Sequence, residues 1–250
     1  MMITRAVVPT LFTVLNMFCG FLSIVHSSDG KFVEASYLIL LAGLFDSLDG
    51  VMARLTKSSS AFGVEIDSLS DVVSFGAAPA FLAFKLSLFQ LDVWGIIISS
   101  LLVILGGIRL ARFNVQLVGY DKEYFSGLPI PAAAVAVVSY VLTFIIDGSR
   151  LEGMALSFFP FLVAVVSLIM VSTIKYDTLP KFSKKEIKRH PIRTMSFFFS
   201  TLLILFTKGG AIFYLIAAFV LYGIVRHTVE MFKHHPKTEE EIEEVPSYDI

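Results

Sequence analysis

Residues 33–71 read VEASYLILLAGLFDSLDGVMARLTKSSSAFGVEIDSLSD, and two features of the stretch decide the fold between them. Its first part runs from Ala35 to Phe45 without a charge, in the continuous apolar manner of a buried helix and without the alternation of a strand. Its second part then places Asp46, Asp49, Glu65, Asp67 and Asp71, five of the 21 acidic residues, within 26 positions. The other acids lie in loops, at the ends of apolar runs, or between Glu239 and Asp249. An apolar helix that carries carboxylates in its interior belongs to a membrane protein with a job to do. Each such group costs roughly 2.5 to 3.5 kcal/mol at a helix centre on insertion scales, so it persists where it serves a function.

The rest of the chain supports lipid as the solvent. Hydrophobic residues make up 56% of its 250 positions and charged residues 16%, with 24 Phe; a soluble domain carries about a quarter charged residues. The mean hydropathy is +0.78. A helix crosses a bilayer with about 20 apolar residues, and only helices and closed barrels satisfy the backbone there. Eight helical spans are expected, at 7–27, 33–55, 61–88, 93–117, 130–146, 154–173, 194–207 and 210–232. The first run lacks a small-residue cleavage pattern and is read as a retained span rather than a signal peptide. With the N-terminus placed inside, the cytoplasmic side receives all the Lys and Arg except Lys31, Lys85, Arg150 and Lys208, in keeping with the positive-inside rule. The expected fold is therefore an all-α integral membrane bundle with both termini cytoplasmic. Residues 1–237 read as a single transmembrane catalytic domain with its core at 46–71, and 238–250 as an acidic, disordered tail. The basic stretch 181–193 reads as a topology signal or as a contact for anionic lipid headgroups. A formal charge of −1 carries no footprint of nucleic acid, and no such partner is expected. The single cysteine, Cys19, offers neither an intrachain disulfide nor a thiolate metal site.

Spacing gathers the acids. Asp46 and Asp49 stand three residues apart and Asp67 and Asp71 four apart, so each pair shares a helix face. The polar turn between the two helices, with Arg54, Lys57 and three serines, brings both pairs close to one membrane surface. Four bare carboxylates cannot share a low-dielectric site; they are protonated, paired or bound to cations. No His or Cys belongs to the group, and oxygen ligands alone select a hard divalent cation, Mg²⁺, Mn²⁺ or Ca²⁺, over zinc. Gly50, Ala53 and Gly63 leave space beside the acids, where a ligand can approach the backbone; singly, each is as well explained by helix packing in lipid.

Read in order, Asp49-Gly50, Ala53-Arg54, Gly63, Asp67 and Asp71 match D-G-x2-A-R-x8-G-x3-D-x3-D, with Asp46 as the acid that precedes it. This pattern resembles the signature of the CDP-alcohol phosphotransferases. The resemblance implies a two-metal site (Mg²⁺ or Mn²⁺) in which Asp46, Asp49, Asp67 and Asp71 are ligands and Asp71 is also the base for the acceptor hydroxyl. It implies room for the cytidine nucleotide at Gly50 and Ala53, and phosphates near Arg54 and Gly63. Residues 74–80, 107–114 and 127–134, with the opening around Pro9, Thr10 and Asn16, are similar to the serine-accepting branch of that family. Thr10 replaces the Asn that many relatives carry after the proline, so no nucleotide contact is assigned to it. The substrates implied are a CDP-activated lipid and L-serine, in a multi-pass protein of the cell membrane whose site faces the cytoplasm. Relatives are often dimers, so a homodimer is an expected arrangement.

Arg109 and Arg112 share a face near the cytoplasmic end of the fourth span and are candidates for the serine carboxylate or the lipid phosphate, against the plainer role of anchors at the interface. Two other readings remain open at this point. Glycerol phosphate or an inositol phosphate as acceptor would want arginines equally. A cation transporter would also carry intramembrane acids, although the outer halves of the spans offer no polar path to continue one.

Overall fold

The computed structural model describes residues 2–56, 60–116, 124–177, 203, 207 and 209–233. Helix α1 (Met2–Ser28) turns through Gly30, at φ +76°, into α2 (Phe32–Thr56). Helix α3 (Ala61–Asp71) runs without a break through a π turn (Val72–Ala77) into α4 (Ala78–Leu86). A 3-10 turn (Leu88–Leu91) leads to α5 (Asp92–Gln116), and α6 (Ile130–Phe144), α7 (Gly153–Met170) and α8 (Ile212–Lys233) complete the described helices. Strands β1 (Tyr124–Ser126) and β2 (Lys175–Asp177) form a small antiparallel pair in which Phe125 faces Tyr176.

Among the described residues, six helical stretches are long and apolar enough to cross a membrane: Thr10–Ser28, Phe32–Ala53, Phe62–Leu86, Leu88–Val115, Gly153–Val171 and Ile212–Phe232. The expected span at 130–146 appears as α6, only 15 residues long. Its short length is tolerable because α6 is enclosed by protein, packing on α2, α7 and α8 with Ile130, Ala133, Ala134, Val137 and Val138 fully buried. The expected span at 194–207 lies outside the described residues but for 203 and 207, and the basic stretch 181–193 and the tail 238–250 lie outside them entirely.

The rod α3–π–α4 is the axis of the bundle: 61% of its spanning window is buried, against 11% for α8. Its π turn has a local cause. Pro79 has no N–H to return to Phe75, and a proline ring crowds the carbonyl four residues before it. The Ala78 N–H instead reaches the Val73 carbonyl, five residues back. Small residues then let neighbouring backbones close in on the rod. A Cβ on Gly20 of α1 would stand 2.7 Å from Ser74 Cα, and one on Gly76 3.5 Å from Val103 Cα of α5.

The β1–β2 pair ties the segment after α5 to the segment after α7, so both emerge on one side of the bundle. Gly127, at φ +81°, adds an N–H bond to the Ile174 carbonyl at 2.8 Å, and Leu128 N–H one to Ile169 at 3.2 Å. The end of the bundle holding Arg109, Arg112 and Asn114 is thereby closed and braced.

Candidate active site

Asp46 and Asp49 lie on the second half of α2, and Asp67 and Asp71 on the second half of α3. Each of Asp46, Asp49 and Asp67 presents one carboxylate oxygen such that all three lie within 4.8 Å of one another. Asp71 stands one turn deeper and adjoins the trio through Asp46. The hairpin thus brings together the four acids that their spacing paired off. Glu65 is exposed on another face of α3 and takes no part in the trio.

Depth sets the electrostatics. Asp49 and Asp71 are each 8% exposed, and Asp67 has a buried Oδ1 with no hydrogen-bond partner. Arg109 is buried as well, within electrostatic reach of Asp71 and of Arg112, its guanidinium 5.8 Å from the Phe113 ring centre. It brings one positive charge to four carboxylates. Three convergent oxygens and an unsatisfied buried carboxylate oxygen fit a hard divalent cation, which would take Asp46, Asp49 and Asp67 as ligands with Asp71 alongside.

Helix α1 supplies the donors. Thr13 Oγ1 donates to Asp49 Oδ2 at 2.9 Å, and Asn16 Nδ2 to Asp71 Oδ1 at 3.4 Å. Thr13 and Asn16 are themselves buried. Their helix is locked in register with the rod by two bonds in the opposite direction: Ser70 Oγ donates to the Thr13 carbonyl at 3.0 Å and Ser74 Oγ to the Asn16 carbonyl at 2.8 Å. On the other flank, Asn114 Nδ2 of α5 donates to Ser68 Oγ at 2.8 Å, next to Asp67. Sequence reasoning noted Asn16 and the stretch ending at Asn114 but gave no role to these partners. A signal existed: Thr10, Thr13, Asn16, Gly20, Ser23 and Ser27 recur every three to four residues along an otherwise apolar helix, which marks the face that packs on protein.

The remaining candidates separate. A Cβ on Gly50 would meet nothing within 4 Å among the described residues, so none of these requires a glycine there. Ala53 is half-buried on the same helix, and the side chain of Arg54 lies outside the described residues. Gly63 sits in the first turn of α3, where its N–H bonds the capping Ser60 Oγ at 3.0 Å. That helix start, near Asp67, presents the positive end of a peptide dipole to the surface. Arg112 Nη1 donates to the Val171 carbonyl at 3.3 Å, at the C-terminus of α7, where a cation caps the last turn. The two arginines that shared a face in the sequence therefore differ: Arg109 is buried toward the acids, and Arg112 braces a neighbouring helix.

Fold and site together define a polytopic membrane protein with a carboxylate cluster at one end of its bundle that could hold a cation. The description CDP-alcohol phosphatidyltransferase matches residues 6–171 as a family model. Similar proteins include a CDP-diacylglycerol–serine O-phosphatidyltransferase of Helicobacter pylori, 37% identical over 90% of this chain and 92% of that one. An archaetidylserine synthase of Methanothermobacter thermautotrophicus is 45% identical over 67% of this chain and 68% of its own length. A CDP-diacylglycerol–serine O-phosphatidyltransferase of Methanocaldococcus jannaschii is 34% identical over 86% and 91%. The chain belongs to the CDP-alcohol phosphatidyltransferase family.

Proposed function

We propose that the protein makes a phosphatidylserine-type lipid by transferring the phosphatidyl group of a CDP-activated lipid to the hydroxyl of L-serine, with release of CMP. The observation that carries this reading is the convergence of Asp46, Asp49 and Asp67, with Asp71 beside them, from two consecutive helices. The names of the similar proteins favour serine over glycerol phosphate or an inositol phosphate. They include both a diacylglycerol-based enzyme and an archaetidyl-lipid synthase, so either tail chemistry suits the CDP-lipid.

In the mechanism, Asp46, Asp49, Asp67 and Asp71 would hold two divalent ions, Mg²⁺ or Mn²⁺. When bound, such ions would supply charge neutralisation for the diphosphate and for its oxygens during transfer. Asp71 takes the proton of the serine hydroxyl. The serine oxygen forms its bond to the lipid-bearing phosphorus as the bridging P–O bond to CMP breaks, so CMP departs with the electron pair. Arg109, buried toward Asp71, receives the serine carboxylate or the lipid phosphate, while Arg112 holds α7 against α5. Gly50 and Ala53 leave room for the cytidine, and Arg54 and the start of α3 at Gly63 meet its phosphates.

The reading extends to the whole molecule: eight spans, both termini and the site on the cytoplasmic side of the cell membrane, residues 1–237 as one catalytic domain with a tail at 238–250, and a homodimer. Purified protein supplied with CDP-diacylglycerol, Mn²⁺ or Mg²⁺, and labelled serine, glycerol 3-phosphate or inositol phosphate tests it. Serine-dependent release of CMP with label entering lipid is expected. Label entering lipid from another acceptor alone would replace serine, and no CMP release with any acceptor would end the enzymatic reading.

A further inference from the structure

Asn16 is an odd residue to bury. Its side chain is fully inaccessible in the α1–rod interface, and only one half of the carboxamide is used. Nδ2 donates to Asp71 Oδ1, whereas Oδ1 has no hydrogen-bond partner. Because a carboxylate only accepts, the contact with Asp71 dictates which end of the amide faces it, and the oxygen is left over. For folding alone, a leucine of similar size would fill the place without stranding a polar atom.

The amide cannot drift to a better position either. Its own carbonyl accepts Ser74 Oγ at 2.8 Å, and Gly20, one turn on, lets α1 approach the Ser74 backbone. Thr13, one turn before it, repeats the arrangement, with its carbonyl held by Ser70 and its hydroxyl on Asp49.

From this geometry we infer that Asn16 is a positioning residue for Asp71. By occupying Oδ1, it fixes the plane of the carboxylate beside Asp46, where the acceptor hydroxyl and a cation would bind. The inference rests on the proposed role of Asp71 as base, and it assigns Asn16 no contact with substrate. A stability cost accepted at Asn16 is exchanged for the orientation of a second residue, as happens where local rules yield to a site.

The test uses the full-length protein with Asn16→Leu and Asn16→Asp, alongside Asp71→Asn. Both Asn16 variants are expected to lose about tenfold to a hundredfold in kcat, the range associated with misplacing a catalytic group by about an ångström. KM for serine and for CDP-diacylglycerol should stay within about twofold. The thermal midpoint of Asn16→Leu should be equal to that of the unaltered protein or higher. A residue that serves only packing gives the opposite pattern, with the midpoint falling and surviving molecules turning over normally. That result, or unchanged kcat in Asn16→Leu, overturns the inference. Should Asn16→Leu fail to fold, Asn16→Asp decides: the same shape without an N–H to donate must lose kcat, and full turnover refutes the positioning role. If Asp71→Asn itself retains turnover, the proposed base has failed instead, and the two failures are told apart.

Discussion

Gly20→Ala tests whether the close approach of α1 to the rod sets the site. The added Cβ would stand 2.7 Å from Ser74 Cα, and ordinary contact begins near 3.4 Å, so α1 has to retreat by about 0.7 Å. Ser74 Cα is backbone in the most buried rod of the bundle and cannot swing aside. The retreat would lengthen the Ser74–Asn16 carbonyl bond from 2.8 Å and the Asn16–Asp71 contact from 3.4 Å, to beyond useful range in the second case. Overpacking of this size costs about 1–3 kcal/mol of stability, while a misplacement approaching 1 Å costs up to about a hundredfold in rate. The expected result is a thermal midpoint a few degrees lower in detergent and kcat reduced about tenfold or more, with CDP-lipid KM nearly unchanged. The assay is CMP release at saturating serine, paired with thermal unfolding of the same preparation. Full activity in a protein of unchanged midpoint would refute the reasoning, because it would mean that α1 does not sit against Ser74 as closely as its glycine implies.

Three further outcomes follow from the same geometry. Asp71→Asn keeps the shape of the side chain but removes the proposed proton acceptor, and kcat should fall by about 10²–10⁴, measured as CMP release; near-normal turnover would remove Asp71 from proton transfer. Excess chelator should abolish activity and added Mn²⁺ or Mg²⁺ restore it, with Asp49→Asn and Asp67→Asn each raising the metal concentration needed for half-maximal rate; metal-independent turnover would contradict the reading of the carboxylate trio. Gly50→Ala meets no atom of the described residues within 4 Å and gains helix propensity of about 1 kcal/mol, so stability should hold or rise while CDP-lipid KM increases; an unchanged KM would take Gly50 out of the proposed nucleotide slot.

The acids were legible before any folding because their meaning is local. Asp46 with Asp49, and Asp67 with Asp71, share helix faces by spacing alone, and the short polar turn between the helices leaves no other place for the two pairs than side by side. The long spans were equally legible, since an uninterrupted apolar run in lipid has no alternative to a helix. The helix at 130–146 was harder. Its composition marked it as apolar, but its termination at Phe144 and its enclosure between α2, α7 and α8 depend on neighbours distant in sequence.

Residue order by itself settled that this is a helical membrane protein with a carboxylate cluster suited to hard cations, because hydropathy and helical periodicity act over a few turns. Tertiary structure alone decided which atoms steady that cluster. Thr13 reaches Asp49 across 36 residues and Asn16 reaches Asp71 across 55, and such pairs exist only once α1 has packed on the rod. It also told Arg109 from Arg112, which share a face in the sequence, by burying one toward the acids and engaging the other at the end of α7. The reason is physical: helix periodicity names a face, but the partner of that face is chosen by packing between segments far apart in the sequence.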